Sequence, residues 1–150
     1  MSVRIRPCRE ADLGAWTALR EALWPWLKDE PDVMAPDMLS RDDMSVFLAV
    51  DADDLAIGFA EVALRRDYVN GCETSPVGFL EGIYVDPAHR LGGIARALCD
   101  EAERWSVRQG CTEFASDALL DNVESHAMHD ALGFEETERV VYFRKVLPAP

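Results

Sequence analysis

Between residues 89 and 98 the chain reads HRLGGIARAL, and the residue types there point to anion binding. From Asp86 to Asp100 no carboxylate intervenes, and His89, Arg90 and Arg96 stand there instead. The adjacent Gly92 and Gly93 precede a run that reads as helix. A helix start carries partial positive charge and unpaired backbone N–H groups, which an anion can satisfy. The two glycines remove Cβ atoms that would hold such a ligand off. Arg90 can add a charge-assisted hydrogen bond, about twice as strong as a neutral one. The pattern is neither G-x-G-x-x-G nor G-x-x-x-x-G-K-[ST], which disfavours dinucleotide and nucleoside-triphosphate sites. A glycine turn flanked by solvated arginines is the plainer reading.

A second centre involves carboxylates. Glu81 falls inside the apolar run GFLEGIYV, where an unpaired carboxylate is costly, so a paired or functional role is expected. Asp117 follows FAS at the C-terminal end of a predicted strand, where open α/β sheets place ligand contacts. A turn residue ahead of the last helix would read the same way.

The elements that position these residues follow from hydrophobic periodicity. VRIRP reads as a short strand. Leu13, Trp16, Leu19, Ala22 and Leu23 repeat at helical spacing, and Pro25 should end that helix at Trp24. Residues 28–45 are rich in Asp and Pro, with at most a short helix around 37–42. SVFLAV and LAIGFAEVALRR form a predicted hairpin across the DADD turn. DYVNGCETSPVG is a loop. FLEGIYV is a strand whose Gly82 suggests a bulge or a close backbone approach, and Asp86–Pro87 closes it. A helix from about Gly93 buries Ile94, Ala97, Leu98, Ala102 and Trp105, with Gly110 capping its end. CTEFAS is a strand, NVESHAMHDALGF a helix, and RVVYFRKV a final strand. The order β-α-(α)-β-β-β-α-β-α-β implies one α/β domain over 1–150, with a mixed, largely antiparallel sheet.

Composition narrows the function classes. The 150 residues include 28 acidic and 15 basic ones, a net charge of −13. That argues against nucleic acid and suits a cationic substrate, although many acidic surfaces serve solubility alone. The four cysteines form no C-x-x-C pair and read as free thiols in a reducing compartment. No apolar run approaches the roughly 20 residues of a membrane span, and MSVRIRPCRE lacks an apolar signal region. A cytoplasmic chain is expected, without membrane or metal. His126 and His129 could share an ion, but no third ligand is evident.

Arg90-x-x-Gly93-x-Ala95 resembles the R/Q-x-x-G-x-G/A signature of the GCN5-related N-acetyltransferases, and Asn122 with Gly133–Phe134 continues the likeness. The resemblance covers essentially the whole chain, from about Val3 to Val146. It implies that Arg90, Gly92, Gly93, Ile94 and Ala95 hold the pyrophosphate of acetyl-coenzyme A. It further implies a strand bulge near Gly82, with backbone of Ile83, Tyr84 and Val85 pairing with pantetheine and Asn122 reaching it from the other side. Asn122 is also a plausible helix N-cap. Where the family commonly has a Tyr as the acid for the departing thiolate, this chain has His129. An imidazole suits that task near neutral pH, and a packed or solvated His is the alternative.

DYVNGCETSPVGFLEGIYV, CTEFASD and SHAMHDALGFEETERVVYF are similar, more narrowly, to the aminoglycoside 6′-N-acetyltransferases, resistance enzymes of that superfamily. This likeness implies an aminoglycoside site lined by Trp24, Tyr68, Glu81, Asp117 and Glu138, with Glu81 and Asp117 nearest the reacting amine. On pattern alone Trp24 and Tyr68 read as core and Glu138 as a solvated residue. The likeness also implies a homodimer and direct transfer in a ternary complex. Another amine as substrate, or a non-catalytic acyl-coenzyme A sensor, are the competing readings.

Overall fold

Apolar side chains at alternate positions of three consecutive segments build the centre of the sheet. The structure, a computed structural model, describes residues 2–29 and 35–150. Its strands are β1 (Arg4–Pro7), β2 (Met44–Val50), β3 (Ala56–Arg65), β4 (Val77–Val85) and β5 (Phe114–Ser116). They lie in the order β1-β2-β3-β4-β5, antiparallel except for the parallel β4–β5 pair. The helices are α1 (Leu13–Leu23), α2 (Ala35–Ser40), α3 (Ile94–Arg108) and α4 (Val123–Ala131).

Val46, Leu48, Val50 and Phe59 turn to one face and pack with Trp16 of α1 and Ala35 of α2. The intervening positions face α3: the Cβ direction of Gly58 meets Leu98, and that of Gly78 meets Ser106. Helix α1 ends at Leu23, because Pro25 keeps the preceding Trp24 out of helical backbone, at φ −122° and ψ 82°. Gly110, at φ 91°, follows the end of α3 in the left-handed conformation that terminates helices.

In β4 the antiparallel register slips. Gly82 pairs with Glu61 and Leu80 with Val62, so Glu81 is an extra residue with no partner on β3. This is the bulge expected at Gly82. Leu80, opposite Val62, keeps to the α3 face, whereas both Glu81 and Gly82 address the α1 face. The normal alternation is broken at that point. Only Gly78–Leu80 pair with β5, in parallel with Phe114–Ser116, so the two strands part where the bulge begins.

Three expectations need correction. Helix α2 runs over Ala35–Ser40 rather than 37–42, because Pro36 is tolerated in a first helical turn; residues 30–34 of the Asp/Pro-rich stretch lie outside the described residues. Strand β5 is only Phe114–Ser116, shorter than CTEFAS. The final strand RVVYFRKV is not formed: residues 134–150 carry no regular element. A strand exists only through hydrogen bonds to a neighbour, and β-propensity alone does not supply one. The described chain divides into two compact units, one ending at Asp117 and the other spanning Ala118–Pro150.

The packing of β4 on α3 leaves no room at Gly78. A Cβ there would overlap Ser106 Oγ, and that hydroxyl is buried and donates to Ala102 O at 2.9 Å. Gly78→Ala is therefore expected to destabilise the fold by about 1–3 kcal/mol, read as a lower urea midpoint at unchanged slope.

Candidate active site

The bulge concentrates polar chemistry at one point of an otherwise apolar strand. Glu81 accepts two hydrogen bonds from Arg65, Nε to Oε1 at 3.1 Å and Nη2 to Oε2 at 2.9 Å. Arg65 reaches it across Phe79, with the guanidinium carbon 3.5 Å from the ring centroid. The carboxylate is thus paired, as its place in an apolar run required. Asp117 is exposed and directly follows β5. Leu80 and Ser116 are the last parallel partners, so Glu81 and Asp117 each stand one residue past the fork. Ser116 Oγ donates to Leu80 O at 3.1 Å and pins that fork.

Trp24, directly after α1, covers the bulge at Gly82. A side chain at Gly82 would put its Cβ 2.6 Å from Trp24 Cη2, so Gly82 provides both the bulge and the close approach. Trp24 is half-buried against the core, edge-on to Phe59 at 6.1 Å. Tyr68, in the β3–β4 loop, is 74% exposed and is not a core residue.

The glycine-rich turn follows β4. Asp86 caps the 3₁₀ turn Pro87–His89 by accepting from Ala88 N–H at 2.9 Å. Arg90 Nε donates to Val85 O at 2.8 Å, and its guanidinium lies 5.3 Å from the Tyr84 ring. Arg90 therefore ties the turn to the strand, and the Val85 carbonyl is already engaged. Leu91 is fully exposed with φ 66°, a conformation costing a non-glycine residue about 1–2 kcal/mol. Gly93 has φ 81°, and nothing lies within 4 Å of where its Cβ would be. The first turn of α3 holds no acidic residue and no side-chain cap. The N–H groups of Gly93, Ile94 and Ala95 precede the first intrahelical donor, Ala97, which bonds Gly93 O at 3.0 Å.

In the second unit, Asn122 is the N-cap of α4, its Oδ1 accepting from Ser125 N–H at 3.2 Å. The cap reading holds, and it does not use the side-chain NH₂. His129 Nδ1 lies 2.7 Å from Ser125 O, so Nδ1 carries the proton and donates. The ring packs edge-on to Phe134 at 5.1 Å. Glu138 is exposed and belongs to no regular element.

All four cysteines are unbridged, and burial raises each thiol pKa, those of Cys8 and Cys99 to about 12. None is a thiolate at neutral pH, which leaves no activated sulfur for covalent catalysis.

The model of the acetyltransferase (GNAT) family matches residues 12–134. The chain belongs to this family. This acetyltransferase is 51% identical over 143 residues to the aminoglycoside N(6′)-acetyltransferase type 1 of Stenotrophomonas maltophilia, covering 95% of this chain and 93% of that one. The crystal structure of the aminoglycoside antibiotic 6′-N-acetyltransferase AAC(6′)-Ih from Acinetobacter baumannii superposes with a TM-score of 0.91 at 47% identity, covering 98% of this chain and all of that one. AAC(6′)-Iy in complex with the bisubstrate analogue CoA-S-monomethyl-acetylneamine gives 0.90 at 44% identity, with the same coverage.

GNAT enzymes use acetyl-coenzyme A, and the residues of this acetyltransferase fit it. The open space at Gly93 and the first-turn N–H groups suit a pyrophosphate. The edge of β4 beyond Leu80, which β5 leaves unpaired, suits the amide-bearing arm. Sequence reasoning missed Arg65 and Leu91. Arg65 is met only through strand register, and a leucine at positive φ leaves no trace in composition. Gly93→Val would force a β-branched residue into positive φ. Coenzyme A affinity is expected to fall about tenfold or more by calorimetry, and the strain should lower the melting temperature by a few degrees.

Proposed function

We propose that this protein transfers the acetyl group of acetyl-coenzyme A to the 6′-amine of aminoglycosides by direct attack in a ternary complex. The observation that carries the reading is the pair Glu81 and Asp117, one residue past the β4–β5 fork, on the strand that leads into the glycine-rich turn. The relatives, aminoglycoside 6′-N-acetyltransferases, support the same substrate class.

Acetyl-coenzyme A supplies the activated acyl group and a thiol leaving group. Arg90, Gly92, Gly93, Ile94 and Ala95 hold the pyrophosphate, and backbone of Ile83, Tyr84 and Val85 pairs with the arm. The Val85 carbonyl is engaged by Arg90, so pairing there falls to other backbone groups. Asn122 adds its side-chain NH₂. An alkyl amine titrates near ~10 and must lose a proton before it attacks. Glu81 or Asp117 takes that proton, directly or through water. The new C–N bond forms as C–S breaks, a backbone N–H of the bulged strand polarises the carbonyl, and the nitrogen's second proton leaves to water. His129, protonated on both ring nitrogens for this step, delivers its Nε2 proton to the sulfur and is reprotonated from solvent. Carboxylates at 81, 117 and 138 pair with substrate ammonium groups, and Trp24 and Tyr68 line the sugars. A net charge of −13 favours a polycation over nucleic acid.

The match over residues 12–134 runs through both compact units, which supports one functional domain. No described helix is long and apolar enough to cross a membrane. Four free thiols agree with a reducing cytoplasm. Val141, Tyr142, Phe143, Val146 and Leu147 are strongly exposed, Phe143 at 92%. These exposed apolar residues, interrupted only by Arg144 and Lys145, suit an interface, which we read as a homodimer with a second copy.

Thiol release from acetyl-coenzyme A with kanamycin or tobramycin, beside spermidine and a short peptide, tests the substrate. Acetylation at the 6′ position, read by mass spectrometry, is expected only on the aminoglycosides. Release with spermidine or peptide alone would overturn the substrate, and binding without release would indicate a sensor. Glu81→Gln and Asp117→Asn are expected to lower kcat by about 10²–10⁴-fold, with coenzyme A affinity unchanged. Sedimentation should give twice the chain mass, and Phe143→Asp should give the monomer.

A further inference from the structure

Glu61 is 1% exposed, and the proposed chemistry uses neither it nor its partner Arg20. Arg20 Nε donates to Glu61 Oε2 at 2.8 Å and Nη2 to Oε1 at 3.4 Å, while Trp16 Nε1 reaches Oε2 at 3.4 Å. The Arg20 guanidinium carbon lies 5.4 Å from the Trp16 ring and 5.2 Å from the Trp24 ring. Trp24 in turn occupies the space a side chain at Gly82 would need, and Gly82 is the strand partner of Glu61. The contacts close a ring: Glu61 to Arg20, Arg20 to Trp24, Trp24 to Gly82, and Gly82 back to Glu61.

Stability alone is a poor account of this pair. Withdrawing two charges from water costs several kcal/mol per ion, and apolar replacements of similar volume are often as stable or more so. An ion pair offers direction, which an apolar pair lacks. The planar guanidinium, forked onto a fixed carboxylate, has one orientation, and that orientation faces the Trp24 ring. We propose that Glu61 and Arg20 are positioning residues that hold Trp24 against Gly82 and so set the bulge from which Glu81 meets the amine substrate. The inference rests on the reading of Trp24 and Glu81 as substrate contacts.

Arg20→Lys keeps the charge and removes the planar fork. It is expected to fold, to bind coenzyme A normally, and to lose about ten- to a hundredfold in kcat/KM for kanamycin. The apolar double variant Glu61→Leu/Arg20→Met is expected to show an unchanged or higher melting temperature and a comparable loss of turnover. Either variant, folded and with wild-type kcat/KM, would overturn the proposal.

A double-mutant cycle separates positioning from general packing. In a Trp24→Leu background Arg20→Lys should cost little more, and full additivity would overturn the route through Trp24. A Trp24→Leu variant with unaltered KM would do the same, by removing Trp24 from the substrate site. Should the wild-type chain acetylate no aminoglycoside, the functional reading fails separately. Hydrogen exchange still reads the clamp: Arg20→Lys should speed exchange in 79–85 and not in 44–50, and uniform change would overturn it.

Discussion

One residue too many in β4 governs the geometry of everything around it. Opposite Glu61 and Val62 of β3 stand Gly82 and Leu80, and Glu81 is left over. A regular strand would alternate its side chains and continue alongside β5. The extra residue instead sends Glu81 and Gly82 to the same face and coincides with the parting of β4 from β5 after Leu80. An acidic side chain and an unpaired strand edge thereby arise at the same point. The glycine-rich turn follows directly, because β4 ends at Val85 and Arg90 bonds the carbonyl of that residue.

The neighbours of the bulge are those that such a defect requires. A carboxylate within an apolar strand needs a counter-charge, and Arg65 supplies two hydrogen bonds across Phe79. A glycine without a side chain needs a covering group, and Trp24 lies in its place. Charge pairing on one side and aromatic cover on the other make the break in the sheet affordable. The face towards α3 stays conventional, with small residues at Gly58 and Gly78 admitting the helix closely.

The helix start that follows shows the same economy. It has no acidic first turn and no side-chain cap, which an isolated helix would favour. Its first-turn backbone N–H groups therefore face no side-chain acceptor of that turn, which suits a ligand's negative charge. Leu91 and Gly93, both at positive φ, give the turn its shape, and the leucine carries conformational strain that glycine would avoid. The GNAT family match over residues 12–134 includes this turn, and the proposed function gives its strain a purpose.

Much of this was legible in the residues. The hairpin of β2 and β3, the end of α1 before Pro25 and the anion-ready turn all rest on local patterns: period-two alternation, proline's effect on its predecessor, and glycine before a helix. Gly82 signalled a bulge, because a strand interior tolerates glycine poorly without a reason. What remained hidden depended on partners distant in sequence. Register alone reveals that Glu81 is the extra residue and that it faces Arg65. Nothing local marks Arg20 as the partner of Glu61; only the fold buries them together. That Asn122 caps α4 through its bond from Ser125 N–H was visible only in the fold. The segment RVVYFRKV has every local mark of a strand and is none in this chain, because a strand is a property of two segments. Local chemistry thus determined which residues could bind an anion or pair with an amine. Tertiary structure decided which carboxylates stand beside the fork, since only chain pairing brings segments distant in sequence side by side.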